Sequence, residues 1–289
     1  MIKYYFSSLR PKQWIKNFFI FATLFFSKNL FNPILVSKFL LAFVLFCLLT
    51  SAVYLINDIL DLEKDRLHPQ KKKRPIPAGE VSTRNALLLS IVLAVLSLSL
   101  SFFIGITFFL ISLFYLVLNL LYSFILKKLV IVDVFSIAIG FVLRILAGSA
   151  IADIYVSNWL IICTFMLSLF LGFTKRRHEL VSLDGIADSH RSILSEYNTS
   201  FLDQMISVVT TSTVVFYILY TVAPETVNKF HTTKMLYTVV FVVYGIFRYL
   251  YLVHKKELGG NPTITLITDI PLMLSVVLWI IFSGVIIYL

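Results

Sequence analysis

The sequence predicts an all-α integral membrane protein, and three observations carry that fold class. Of its 289 residues, 59% are hydrophobic and only 14% charged, with a mean hydropathy of +0.91, outside the range of water-soluble domains. Apolar runs near the ~20 residues needed to cross a bilayer recur along the whole chain and leave no room for a separate soluble domain, so residues 1–289 read as one membrane domain. Lys and Arg gather in alternate connections, the bias that orients membrane helices.

Nine spans fit, in order. The first, near residues 16–32, follows Lys3, Arg10, Lys12 and Lys16, and no small-residue cleavage site comes after it, so it reads as a retained helix. It carries Lys28 and Asn29 and on its own could be re-entrant. The second and third, 37–57 and 86–105, enclose a polar connection at 58–85. The fourth and fifth, 107–126 and 132–151, are joined by a short basic connection, and the fifth holds Arg144. The sixth, 157–174, precedes a second polar connection at 175–204, and 205–223, 234–252 and 267–288 complete the set. A cytoplasmic N-terminus and an outside C-terminus leave only Lys28, Lys38, Lys229 and Lys234 on the far side, which favours nine spans. The two polar connections occupy equivalent places after the second and sixth spans, a hint of two halves built alike.

Cys47 and Cys163 lie in apolar runs and read as small hydrophobes without a disulfide. The five histidines show no metal-ligand spacing, so no zinc is expected. The net charge of +10 belongs with a bilayer surface, and no nucleic-acid partner is expected. A homo-oligomer is left open.

Residues 57–79, NDILDLEKDRLHPQKKKRPIPAG, begin where the second span ends. On a helix continued at 3.6 residues per turn, Asp58, Asp61 and Asp65 fall within an arc of about 60°, while Glu63 points elsewhere. Like charges grouped at a membrane boundary are tolerable where a cation holds them or where they project into water. Such an oxygen cluster suits Mg2+, which takes one or two carboxylates and completes its shell with waters and phosphate oxygens. Arg66, Lys71, Lys72, Lys73 and Arg74 add positive charge beside it, the combination a diphosphate needs. A solvated positive-inside loop explains the lysine run alone; it does not explain acids on one helical face.

The pattern N-D-x-x-D-x-x-x-D at 57–65, with R-P-I-x-x-G at 74–79, resembles the first aspartate-rich motif of the UbiA superfamily of intramembrane prenyltransferases. A second aspartate-rich motif is usual there. Here FTKRRHELVSL stands at 173–183, and Asp184 and Asp188 fall downstream of the expected place. Together with LRPKQWIKN (9–17), GFVLRILAG (140–148), TKRRHEL (174–180), EYNTSFLDQM (196–205) and GGNPT (259–263), the chain resembles the decaprenyl-phosphate phosphoribosyltransferase branch over nearly its whole length.

The resemblance implies a nine-helix UbiA-like bundle in the cell (inner or plasma) membrane, its active site facing the cytoplasm. It also implies transfer of 5-phosphoribose from phosphoribosyl pyrophosphate to a polyprenyl phosphate, with Mg2+ as cofactor and pyrophosphate as leaving group, for cell-envelope polysaccharide precursors. Asn57, Asp58, Asp61 and Asp65 are then the catalytic set, with the three aspartates as metal ligands. Arg66, Lys73 and Arg74 neutralise the diphosphate, and Lys16 and Asn17 grip the acceptor phosphate. Lys175 and Arg176 bind a phosphate, oriented by Glu179, which is four and three residues away and can meet both on one helix face. Arg144, a lone arginine inside a span, is either a phosphate contact or half of an ion pair. Glu196 and Asp203, seven apart, face alike if helix runs through both.

Two other readings share features. A prenyltransferase with a prenyl diphosphate donor and an aromatic acceptor has the same fold, metal and first motif, but the missing second aspartate-rich motif counts against it. A transporter wants polar groups near the bilayer midplane, where only Arg144 lies.

Overall fold

The computed structural model describes residues 1–182, 192–256 and 258–289, and every regular element among them is helical. Asp184 and Asp188 lie outside the described residues. The helices are α1 Ile2–Ser8, α2 Ile20–Phe26, α3 Pro33–Leu60, α4 Leu62–Leu67, α5 Thr83–Ile104, α6 Ile106–Phe124, α7 Val132–Ala150, α8 Asn158–Ser182, α9 Thr199–Val222, α10 Pro224–Phe230, α11 Val239–Lys255, α12 Pro262–Thr268 and α13 Ile270–Tyr288. Among the described residues, eight helices are long and apolar enough to cross a membrane: α3, α5, α6, α7, α8, α9, α13 and Lys234–Lys255, which contains α11.

The starts of these helices are written locally. Asn32, Ser82, Asn198, Asn261 and Asp269 each accept a backbone N–H of the first turn, and Pro33 and Pro262 occupy the position where a missing N–H costs nothing.

The first expected span differs. Pro11–Phe19 is a 3₁₀ helix that passes into the two turns of α2. Trp14, Asn17, Ile20 and Thr23 recur every three residues, the repeat that aligns side chains along a 3₁₀ face. Each is used: Trp14 Nε1 donates to Ser51 Oγ (3.0 Å), Asn17 bonds to α3, Ile20 is fully buried, and Thr23 Oγ1 donates to the carbonyl of Ile145 (3.1 Å). The 3₁₀ rise stretches the segment, and Pro11–Phe26 spans roughly 28 Å, close to the hydrocarbon thickness.

The chain divides into two compact units, Met1–Val156 with Asp188–Ile193 and Ser157–Ala187 with Leu194–Leu289. In the first, α5 is held to α3 by Ser90 and Ser97, seven residues apart, which donate to the carbonyls of Ala52 (2.9 Å) and Leu45 (2.8 Å). Water is absent from such an interface, so small hydroxyls bonding across it replace the hydrophobic driving force. Gly148 lets α7 approach the first segment: a Cβ there would lie 2.3 Å from the Ile20 carbonyl oxygen. In the second unit, Gly260 packs on His178, where a Cβ would meet the ring at 2.5 Å, and Gly259 faces the same residue and the Thr174 carbonyl. The GGNPT and TKRRHEL segments are therefore neighbours.

Candidate active site

The 57–79 stretch folds back on the helices that precede it. Ile76 and Val81 are buried at 2% exposure against Ala52, Leu55 and Ala86, and Gly79 turns the chain between them at φ +82°, a conformation other residues resist. The R-P-I-x-x-G pattern thereby becomes an anchor that fixes Arg74. Its Nη1 donates to Asp58 Oδ1 at 3.1 Å and to Asp65 Oδ2 at 2.6 Å. Burial, and then the nearby Arg10 charge, push the pKa of the Arg74 guanidinium below its ordinary value, while Asp58 and Asp65 pull it back.

Asp58 and Asp65 are both buried, and both accept further cations. Arg10 donates to Asp58 through Nε (3.2 Å) and Nη2, and Lys71 Nζ lies 3.7 Å from Asp65. Arg10 holds a left-handed backbone at φ 54°, an uncommon conformation for an arginine, and its guanidinium lies 5.0 Å from the Tyr54 ring centre.

The expected face of three carboxylates is not assembled. α3 ends at Asp61, where φ −96° and ψ 10° break the helix before α4, and the kink carries Asp61 away to Lys127 Nζ at 2.6 Å. Among the described residues no three His, Cys, Asp or Glu side chains come together as a metal-binding group. The two that converge, Asp58 and Asp65, reach one guanidinium nitrogen and so are close enough to share a cation. That donor set fits Mg2+, which needs only one or two carboxylates when a diphosphate supplies the remaining oxygens.

The other expected residues divide. Asn57 accepts from Ser123 Oγ (3.4 Å) beside this group. Arg66 pairs with Glu63 (3.0 Å) on the exposed side of α4, and Lys73 is exposed, so neither joins Asp58 and Asp65. Asn17 is fully buried and faces the helices instead of a ligand. Its Nδ2 donates to Cys47 Sγ (3.3 Å) and Thr50 Oγ1 (3.2 Å), and its Oδ1 accepts from Arg144 Nε (2.9 Å). Arg144 has no acidic partner among the described residues, which removes the ion-pair alternative. Its other donors reach the Gly140 carbonyl (2.7 Å) and Tyr115 Oη (2.8 Å).

In the second unit the TKRRHEL residues lie on the last turns of α8, which continues to Ser182. Glu179 meets Arg176 at 2.5 Å and Lys175 at 3.8 Å, on one face as the spacing predicts. Arg176 is 1% exposed, whereas 39% of the Lys175 side chain is open. Arg177, which the sequence did not single out, pairs with Asp203 at 2.5 Å. Glu196 does not join it: a 3₁₀ turn ends at Glu196, α9 starts afresh at Thr199, and Glu196 is exposed. Lys127 was equally unforeseen, because nothing local marks it among the basic residues after α6.

The model of the UbiA prenyltransferase family matches residues 17–265. The chain is 32% identical over 290 residues to the decaprenyl-phosphate phosphoribosyltransferase of Mycolicibacterium smegmatis, covering 97% of this chain and 91% of that one. It is 34% identical over 217 residues to the protein of that name from Corynebacterium glutamicum, covering 74% and 65%. Among solved structures, a UbiA homologue from Archaeoglobus fulgidus bound to GPP and Mg2+ superposes with a TM-score of 0.72 at 21% identity, over 99% of this chain and all of that one.

Proposed function

The chain belongs to the UbiA prenyltransferase family, and from that premise we propose that it transfers 5-phosphoribose from phosphoribosyl pyrophosphate to a polyprenyl phosphate and releases pyrophosphate. The observation that carries this reading is its likeness, along 97% of its length, to a relative named for that acceptor and that transfer. The geometry supports it, because the first unit gathers more cations than acids, as a reaction between several phosphate groups demands.

In this reading Arg74, Arg10 and Lys71 bind and orient the diphosphate of the donor, and Asp58 and Asp65 hold those cations in place. Mg2+, when bound by Asp58 and Asp65, supplies charge neutralisation to the leaving pyrophosphate. The Asp61–Lys127 pair fixes Lys127 at the edge of the same group, where it adds positive charge. C1 of the ribose gains oxocarbenium character as the bond to pyrophosphate weakens. The acceptor phosphate is already an anion, so no side chain has to remove a proton, and positioning and charge stabilisation carry the rate. In the second unit Lys175, whose side chain is 39% open on the last turns of α8, binds a phosphate. The site faces the cytoplasm of the cell membrane, and the product lipid feeds cell-envelope polysaccharide.

The test is pyrophosphate release by the purified chain. Phosphoribosyl pyrophosphate with a polyprenyl phosphate should give turnover, and a prenyl diphosphate with an aromatic acid should not. The opposite result assigns the chain to aromatic prenylation.

A further inference from the structure

Arg144 is a buried cation, 4% exposed, whose partners are all neutral: Asn17, Gly140 and Tyr115. Lys16 directly precedes Asn17, whose Oδ1 accepts from Arg144 Nε, and it makes no ion pair among the described residues. Arg10 is matched by Asp58, and Arg74 by Asp58 and Asp65. Lys16 and Arg144 are thus left as two neighbouring positive charges without an acid. Burying unmatched charge is costly, and an arriving anion removes that cost.

The surroundings hold Arg144 ready for such an anion. Three of its five N–H groups are engaged, which leaves two to donate. Because Asn17 Nδ2 is committed to Cys47 and Thr50, its oxygen can only face Arg144. The Tyr115 ring centre lies 4.9 Å from the guanidinium carbon and its hydroxyl accepts from Nη2. A Cβ at Gly140 would sit in ordinary van der Waals contact with Nη1 (3.7 Å) and the Tyr115 ring (3.8 Å), so the glycine keeps that small volume beside the guanidinium unfilled by its own side chain.

We propose that Lys16 and Arg144 form the subsite for the acceptor lipid's phosphate, set deeper in the membrane than the diphosphate subsite at Asp58, Asp65 and Arg74. The proposal rests on the phosphoribosyl-transfer reading. Asn17 meets α3 at Thr50, eight residues before Asp58, which places this level about 12 Å along the helix from Asp58. The chemistry requires two distinct phosphate sites, one on each face of C1. An acceptor oxygen forms its bond to C1 on one face while the C1–O bond to pyrophosphate breaks on the other, and the electron pair leaves with pyrophosphate. The two phosphate sites therefore flank the ribose carbon and cannot coincide. An acceptor held on the membrane side also keeps its apolar tail among the helices. Tyr115 and Asn17 act as positioning residues through Arg144.

The donor's 5-phosphate offers the same phosphate monoester chemistry, so the experiment separates the two sources. Binding of farnesyl phosphate and of farnesol to the full detergent-purified chain is measured without donor, and KM is measured for both substrates. The variants are Lys16→Gln, Arg144→Gln, Arg144→Lys and Tyr115→Phe. Lys16→Gln and Arg144→Gln should weaken farnesyl phosphate roughly ten- to hundredfold, the cost of a lost charge-assisted contact, and leave farnesol and the donor KM unchanged. Arg144→Lys should recover part of the loss, and Tyr115→Phe should shift it less in the same direction. If Arg144→Gln fails to fold, Lys16→Gln and Tyr115→Phe carry the test. Unchanged farnesyl phosphate binding in those two overturns the subsite, and so does a rise confined to the donor KM, which would place the 5-phosphate there. If the wild type shows no transfer while the binding shifts hold, the function reading falls and the phosphate subsite stands.

Discussion

In the first unit Arg74 answers two carboxylates at once, Arg10 leans on one of them, and Lys16 and Arg144 have no acid among the described residues. In the second, Glu179 takes Arg176 and Lys175, Asp203 takes Arg177, and Asp269 takes Arg248. A cation without an acid is completed by an anionic ligand, whereas a set in which each cation already meets an acid holds its own helices together. On the proposed function, this contrast puts anion binding mainly on the first unit. It recasts most of the basic second motif as bracing, with Lys175 as the exception.

The largest expected effect comes from breaking the surplus at its centre. Asp58→Asn removes the carboxylate of Arg10 and leaves Arg74 with Asp65, and because both arginines are half-buried the expected cost is about 2–3 kcal/mol, read as a lower melting temperature together with loss of transfer. Asp61→Asn, at a half-buried position, frees Lys127 and should lower turnover about tenfold with little change in melting, whereas chelation of Mg2+ should remove most turnover reversibly. Near-normal turnover of either variant at saturating Mg2+ would place the reacting diphosphate elsewhere.

Arg176→Ala probes the matched set. It removes a cation that is 1% exposed and takes from Glu179 its 2.5 Å partner, so the expected loss is about 3 kcal/mol of stability. The donor KM of the protein that folds should stay near normal. Lys175→Ala should do the reverse, raising the donor KM about tenfold with melting unchanged. A fall in donor binding for Arg176→Ala at unchanged stability would erase the difference between the units.

The smallest effects sharpen the comparison through glycine. Gly148→Ala pushes a methyl against the Ile20 backbone and should cost about 1–3 kcal/mol, because backbone cannot move aside. Gly260→Ala meets only the end of the His178 ring, which can turn, so a smaller melting shift is expected. Equal shifts would mean that the two close approaches are equally rigid.

The spans were legible because long apolar runs bounded by caps and prolines leave the backbone one way to satisfy itself in lipid. The first segment was harder to read: its Trp14, Asn17, Ile20 and Thr23 spacing of three is visible in the sequence, but a window tuned to 3.6 does not register it. Asp58, Asp65 and Arg74 were found from charge and motif. Their grouping without Asp61 was not, because it depends on a helix ending at Asp61 and on Lys127, which comes from the end of another span. Glu196 and Asp203 fail for a related reason, since a seven-residue spacing aligns side chains only if the helix is unbroken. Arg177 could have been found: it stands between Arg176 and His178 in a stretch already marked as basic.

Calorimetric binding of pyrophosphate in the presence of Mg2+ tests the charge contrast most directly, because it needs neither the acceptor lipid nor turnover. Arg74→Gln should weaken pyrophosphate at least roughly tenfold relative to wild type, while Arg177→Gln should bind it as wild type does. Equal losses in the two variants, or a loss only in Arg177→Gln, would contradict the assignment of the diphosphate to the first unit.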